Sequence, residues 1–347
     1  MRGLRCIGLL LLIPPTALWC QTANSRQSSV SPQSSLDAAE SALRQKDYVL
    51  AESEYHFAAA RALSALGNLA SAEGRWDEAL TAYSEASQNL SDPTEPLLGV
   101  ATVYLQQEKP TQAETLLHEL SASSKNPRIL QLLAVSYAAQ GRFNEALQQI
   151  SEASKSAPSD PELAYIAGVI AVQAGNIEKA SQAFANLLRL RPGAATHVLI
   201  GRTWRDYDRV AESEHELQEA LRIDPRVPRA NYYLGTILIR RPGGINDAIS
   251  AFRRELEISP DDYLTNLNVG VALLAQHRDR EAVPELMKAA SLSGNNHLPF
   301  YYLGQAQFQQ VRQPALVEGQ GEDQRHQRQH RPDIPMGVRP AGAVDGP

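Results

Sequence analysis

The sequence predicts an all-α solenoid of stacked helix pairs, and three observations carry that expectation. A small residue recurs at Gly67, Ala101, Ala134, Gly168, Gly201, Gly235, Gly270 and Gly304, with successive gaps of 34, 33, 34, 33, 34, 35 and 34 residues. A second recurs at Ala51, Ala79, Ala113, Ala146, Ala180, Ser213, Ala248 and Ala282, with a first gap of 28 and gaps of 33 to 35 thereafter. Two interlocked series with one period near 34 mark a stacked helical array. The third observation is composition: Ala, Leu, Glu and Gln dominate and β-branched runs are short, which favours helix.

From its start, the chain first reads as an export signal. Arg2 and Arg5 precede an apolar run from Ile7 to Ile13, which Pro14 and Pro15 end. That run is too short to span a bilayer and fits a secretory leader over residues 1–20, cleaved near Cys20–Gln21. Cleavage there removes both cysteines, Cys6 and Cys20, so no disulfide and no cysteine chemistry are expected in the mature chain. Cys20 as a lipid-bearing cysteine is not expected, because bulky Trp19 stands where a lipoprotein signal carries a small residue. The expected location is therefore the periplasm or cell envelope. Residues 21–35 are rich in Ser and Gln with almost no apolar content and read as a disordered linker. No run of about 18 apolar residues follows, so no transmembrane span is expected. The net charge of -6, with acids and bases interspersed, argues against a nucleic-acid partner.

The repeat proper is clearest over residues 127–158. Leu130, Leu133, Ala134 and Tyr137 share one helical face; Gln140–Gly141–Arg142 breaks the helix; Phe143, Ala146, Leu147, Ile150 and Ala153 form a second face; Pro158 closes the unit. This is an antiparallel helix pair whose apolar faces meet. Ala134 and Ala146 are small because the helices cross there. Gly141 suits the left-handed conformation at a helix C-terminus. Asp160–Pro161 supplies a cap and a first-turn proline for the next helix. The same grammar recurs at Gly74–Arg75–Trp76, Gly175–Asn176–Ile177 and Asp208–Arg209–Val210, and Arg241–Pro242–Gly243–Gly244 lengthens one turn by a residue.

These residues resemble the tetratricopeptide repeat (TPR): small and aromatic residues on a first helix, then Ala, an aromatic and Pro on a second. The resemblance covers residues 36–310, eight units and the first helix of a ninth. It implies a right-handed TPR superhelix of about eight and a half repeats. Ser213 replaces the usual Ala, and the first unit is about six residues short, so its second helix is expected to run almost continuously into the next unit.

The resemblance also implies a non-catalytic protein-binding scaffold or adaptor, with first helices lining a concave groove that holds a protein or peptide segment. The outward residues expected there are Tyr165, Arg202, Arg205, Arg229 and Tyr232. Arg offers a planar fork and Tyr a rigid amphipathic surface, so an acidic or carboxylate-ended segment is the expected partner. Pairing of these arginines with Asp206, Glu212 or Glu214 is the competing expectation. TPR domains that hold chaperone tails use a Lys/Asn-rich clamp. The first full repeat offers Arg61, Ser64, Asn68 and Ser71 instead, so that specificity is not supported. A stripe of Leu264, Leu267, Val271 and Leu274, followed by Leu298, Tyr301 and Phe308, is either a second binding surface or core.

Catalytic signatures are absent from the sequence. His118–Glu119 and His215–Glu216 each lack the second His of a zinc-protease motif, and Gly243–Gly244 lacks the Lys-Ser/Thr of a phosphate loop. There is no Gly-x-Ser-x-Gly elbow. No enzyme activity, cofactor or metal is expected, and the eight histidines read as surface residues. Two alternatives stay open: the regulatory TPR portion of a longer enzyme, or an envelope-assembly lipoprotein. After Gln310 the period stops halfway through a helix pair, and residues 311–347 read as a disordered or frameshifted tail. Translating the gene's other two frames beyond codon 310 should reveal a continuing helical repeat. If neither frame contains one, the frameshift expectation fails.

Overall fold

A computed structural model describes residues 32–294 and 296–310. The leader 1–20, most of the linker 21–35 and the tail 311–347 lie outside the described residues. Sixteen helices and no strands are present among the described residues. The chain divides into two compact units, through Val227 and from Pro228 onward.

The first unit holds α1 (Pro32–Arg44), α2 (Tyr48–Ala72), α3 (Trp76–Gln88), α4 (Thr94–Gln106), α5 (Pro110–Ser123) and α6 (Pro127–Ala139). It continues with α7 (Phe143–Ser156), α8 (Pro161–Gln173), α9 (Ile177–Leu190), α10 (Ala194–Asp206) and α11 (Val210–Ile223). The second unit holds α12 (Ala230–Leu238), α13 (Ile245–Ile258), α14 (Tyr263–Ala275), α15 (Asp279–Leu292) and α16, residues 298–310.

Residues 32–35, expected in the linker, instead form the first turn of α1. A leading proline has no N–H to leave unpaired there, and Ser35 is buried. The short first unit gives the expected result: α2 runs unbroken for 25 residues. Its middle reads Ala58–Ala59–Ala60–Arg61, all strong helix formers with no turn residue among them.

Except after α12, each turn within a helix pair closes its first helix in the same way. At the end of α6, Arg142 N–H donates to Tyr137 O at 2.9 Å and Gly141 N–H to Ala138 O at 3.0 Å, with Gly141 at φ +76°. Asp208, at φ +61°, makes the equivalent pair of bonds with Arg209 at the end of α10. Paired bonds of this kind satisfy the last carbonyls of a helix and turn the chain back on itself. Asp160 caps α8 by accepting from Glu162 N–H at 2.8 Å, ahead of Pro161.

Packing within a pair rests on one contact. In the first unit the small residue of each first helix from α2 onward faces a large residue sixteen positions on. A Cβ added at Gly168 would lie 2.2 Å from Phe184 Cε1, and one at Gly67 2.8 Å from Tyr83 Cε1. Where the small residue is Ala, as at Ala101 and Ala134, its counterpart is an aliphatic residue, Leu117 or Ile150, and all four are buried. Ser213, the exception to the Ala series, is fully buried, and its hydroxyl donates to Gly201 O at 2.7 Å. The second unit keeps the contact, with Gly270 under Leu286 sixteen positions on and Gly235 under Phe252 seventeen on, across the lengthened turn. There α12 is nine residues long, bounded by Arg229 in the left-handed region and by the lengthened turn. Buried Glu255 accepts the Arg229 N–H at 2.7 Å and the Tyr232 N–H at 3.3 Å, satisfying the donors at the start of α12.

Gly168→Ala should destabilise the protein by about 1–3 kcal/mol through overpacking against Phe184. Adding Phe184→Leu should restore much of that loss, since Ala opposite an aliphatic residue already occurs at Ala134 and Ile150. Thermal denaturation of the single and double variants measures both; an unrescued double variant would mean that the clash lies elsewhere.

Candidate functional site

In the first unit, side chains on one face of successive first helices reach each other across the repeat spacing. Ser71 donates to Gln106 Oε1 at 2.8 Å, Gln131 Nε2 to Glu162 Oε1 at 2.8 Å, and Gln173 Nε2 to the Tyr207 hydroxyl at 2.6 Å. Asn126, just ahead of α6, donates to Glu95 of α4 at 3.1 Å. The face is therefore a polar strip whose members hold one another.

Tyr165 was expected to point outward from α8, but it is 7% exposed and its hydroxyl lies 3.2 Å from Thr203 Oγ1 of α10. Its ring serves packing between neighbouring first helices, and the expectation that it points outward is corrected. Arg202 and Arg205 sit together on α10 and both reach Asp206: Arg202 Nε at 3.5 Å and Arg205 Nη2 at 2.6 Å. The competing expectation, pairing with Asp206, is what the structure contains. Both side chains keep partial exposure, 35% and 21%.

Arg229 and Tyr232 belong to the second unit. Arg229 adopts φ +75° at the start of α12, and its guanidinium grips Asp262 with Nη1 at 2.9 and 3.0 Å from the two carboxylate oxygens. The same group lies 4.9 Å from the Tyr232 ring centroid, and Tyr232 packs at a tilt on Phe252. Arg229 thus positions α12 against the start of α14, where Asp262 also caps Thr265 N–H at 2.9 Å. Its first role is structural.

The apolar stripe of the second unit splits. Leu267 and Leu274 are core, whereas Leu264 is 38%, Leu298 39%, and Tyr301 and Phe308 each 65% exposed. Successive first helices α14 and α16 therefore both present apolar side chains to solvent.

The residues at the chaperone-clamp positions are also occupied. Asn68 Oδ1 accepts the Tyr83 hydroxyl at 2.7 Å, Ser64 donates to Ala60 O at 2.8 Å, and Arg61 lies 5.8 Å from the Phe57 ring centroid. Burial pushes the Tyr83 phenol up to about 12, so it stays protonated as a donor.

Two polar contacts escaped the sequence reading because no local motif announces them. His197 Nδ1 lies 2.7 Å from Glu216 Oε2, tying α10 to α11, with each side chain largely buried. Glu114 of α5 receives Arg142 Nη1 at 2.8 and 3.0 Å and Gln140 Nε2 at 2.6 Å from the next repeat's turn. Burial raises the Glu114 pKa, but the hydrogen bonds from Gln140 and Arg142 and the Arg142 charge outweigh it and hold the carboxyl below its ordinary 4.5. Arg142 also lowers Glu145 and stacks 4.3 Å from the Tyr137 ring centroid. Among the described residues no group of three or more His, Cys, Asp or Glu could hold a metal ion, and no helix is long and apolar enough to cross a membrane.

Helix pairs repeated at a 34-residue spacing and joined by one turn design define an all-α helical-repeat solenoid. Profiles described as tetratricopeptide repeat match residues 132–195 and 208–263, and residues 70–135, together more than half of the sequence. The chain belongs to the tetratricopeptide repeat family. TPR repeat-containing protein YpiA of Bacillus subtilis (strain 168) is 25% identical over 231 residues, which cover 65% of this chain and 53% of that protein. The chain therefore spans about half the length of that relative. Among solved structures, yeast Tom70 superposes with a TM-score of 0.58 at 14% identity, covering 84% of this chain and 63% of Tom70. A tetratricopeptide repeat protein from Parabacteroides merdae ATCC 43184 gives 0.47 at 19% identity, over 72% of this chain and 99% of its own. The likeness to Tom70 is one of fold.

A depressed carboxyl stabilises the fold above its unfolded pKa, and that contribution is lost as the pH falls through the folded value. Melting temperature should accordingly fall between about pH 5 and pH 3 as Glu114 and Glu145 protonate. Arg142→Ala should lower the melting temperature at neutral pH and flatten that acid limb. An acid limb of unchanged depth would remove Arg142 as its cause.

Proposed function

We propose that the chain is a non-catalytic scaffold or adaptor of the periplasm or cell envelope that holds a segment of another protein on its first-helix face. Membership of the tetratricopeptide repeat family supports a binding role, and the leader-like first twenty residues support export. One observation carries the choice of surface: α14 and α16 both present exposed apolar side chains, Leu264, Leu298 and Tyr301, on the face that the resemblance makes the inner one. Apolar side chains clustered in solvent mark contact surfaces, and aromatic ones contribute most to binding. The partner segment favoured by this surface is apolar or amphipathic, seated on Leu264 and Tyr301.

A second reading, an acidic segment held by Arg202 and Arg205, is favoured by the position of both guanidiniums on α10 with partial exposure. A carboxylate there competes with Asp206 for the same two forks. Arg229 and Tyr232 support the apolar surface by fixing the start of α12, and Tyr165 supports the second reading by packing against α10.

Pull-down from envelope extract discriminates the readings when the chain is compared with Leu264→Glu/Tyr301→Glu and Arg202→Glu/Arg205→Glu variants of equal helicity. A protein retained by the chain and reduced at least about tenfold by the first pair supports the apolar surface. Loss with the second pair selects the acidic segment instead. Equal retention by all three sinks both surfaces.

A further inference from the structure

The first unit carries a second uncovered surface, on α2. Tyr48, Glu52, Tyr55, Ala59, Ala62, Leu66 and Leu69 follow one another at spacings of four and three, and every one is exposed. That spacing places them on a single stripe along the whole helix, about 37 Å long.

The repeat itself says what this stripe lacks. Tyr55 stands four residues after Ala51, the register of Tyr83, Leu117, Ile150, Phe184 and Leu217, all of which are buried. Tyr83 shows how such burial arises: a Cβ at Gly67 would meet it at 2.8 Å, and one at Gly99 at 2.6 Å. The large residue is thus enclosed between its own first helix and the first helix of the following repeat. Leu66 and Leu69 are the receiving side of the same contact. Their equivalents one or more repeats on, Val100, Leu133 and Ile200 for Leu66 and Val103, Ile170 and Thr203 for Leu69, are buried, whereas Leu66 is 56% and Leu69 52% exposed.

Both halves of this missing contact lie on one straight helix. The first half of α2 is the second helix of the first repeat, and its other half is the first helix of the next. The approximately six residues missing from the first unit are those of the turn that would fold one onto the other. Without a turn, no receiving surface of this kind is left for Tyr55 within its own chain among the described residues.

We propose that two copies of this chain pair antiparallel along α2, each supplying the contact that the other's missing turn denies it. This is a reciprocal exchange of one repeat contact, and the interface is self-complementary about a twofold axis. The large residues fix the register: Tyr55 of one copy seats by Ala65 and Leu66 of the other, as Tyr83 seats by Gly99 and Val100 of the following repeat. The axis then passes near residue 60, where Ala59 and Ala62 allow the two helices to approach closely. Small residues at the centre and large ones toward both ends match this symmetry. Fourteen stripe side chains, four of them tyrosine, bury roughly 1,200 Å², the lower end of the range for stable interfaces.

The test is the mass of the full chain in reducing buffer by light scattering, at micromolar concentration. The expected result is twice the chain mass. Leu66→Glu/Leu69→Glu should weaken the dimer at least about 100-fold and give a monomer. Because exposed substitutions of this kind can be misread as misfolding, a second variant inserts a six-residue turn carrying Gln-Gly-Arg between Ala58 and Ala59. It should be a monomer with helicity retained, since each chain then covers its own stripe. In a third variant, Tyr55→Cys/Ala65→Cys with Cys6→Ser and Cys20→Ser, oxidation should join two chains. Residues 55 and 65 lie about 15 Å apart on one helix, too far for a disulfide within a chain. A wild-type monomer, with the stripe covered by residues 1–31 or left bare, overturns the proposal. So does a dimer that survives the glutamates or the inserted turn, because it is joined elsewhere.

Discussion

Everything else in this protein depends on the approach of two helices within each pair. A small residue on the first helix lets the second come close enough for one large side chain to fill the gap. The fit is tight where the small residue is Gly: a Cβ at Gly168 or Gly235 would fall within 2.4 Å of an aromatic ring atom. Interiors packed to this density leave no slack for added atoms. The contact also explains why stability in such arrays is local. In the first unit the large residue touches its own first helix and the next, so each repeat is completed by its neighbour. Where the neighbour cannot fold back, as along α2, the same residue type is left in solvent.

The turns hold this packing in phase. Each returns the chain after the same number of residues by placing one residue in the left-handed region, glycine at 74, 141 and 175, and Lys46, Glu108, Asp208 and His277 elsewhere. Non-glycine residues carry a cost of about 1 kcal/mol there, offset by the two backbone bonds that the turn makes. The single lengthened turn, at Gly243–Gly244, goes with the shortest helix. It is stabilised by a buried carboxylate, Glu255, which does for α12 what Asp and Asn caps do for other first helices.

The first-helix face is where packing ends, and the two units differ there. In the first, polar side chains satisfy one another at the repeat spacing, so arginines such as Arg202 and Arg205 arrive already engaged with a carboxylate. Displacing such a pair gains little unless the partner's group fits better. In the second, apolar residues at the equivalent positions have nothing to satisfy and gain by being covered. The surface best suited to a partner is thus set less by the presence of charge than by whether charge is already matched.

The sequence by itself determined the helix count, the phase of every repeat, the cramped crossings and the fused helix over residues 48–72. Each of these follows from local chemistry: a small residue every 34, a turn residue between helices, or the lack of one. It misjudged Pro32–Ser35, because a polar composition hides a helix whose first turn is completed by tertiary burial of Ser35. The site was less legible. Tyr165 and Arg229 carry the right side chains at the right spacing, yet one is buried against Thr203 and the other clamped to Asp262. Only the tertiary structure decided that. The partners of these two residues stand 38 and 33 positions away, in the next repeat, and periodicity fixes where such residues stand without fixing which of them hydrogen-bond.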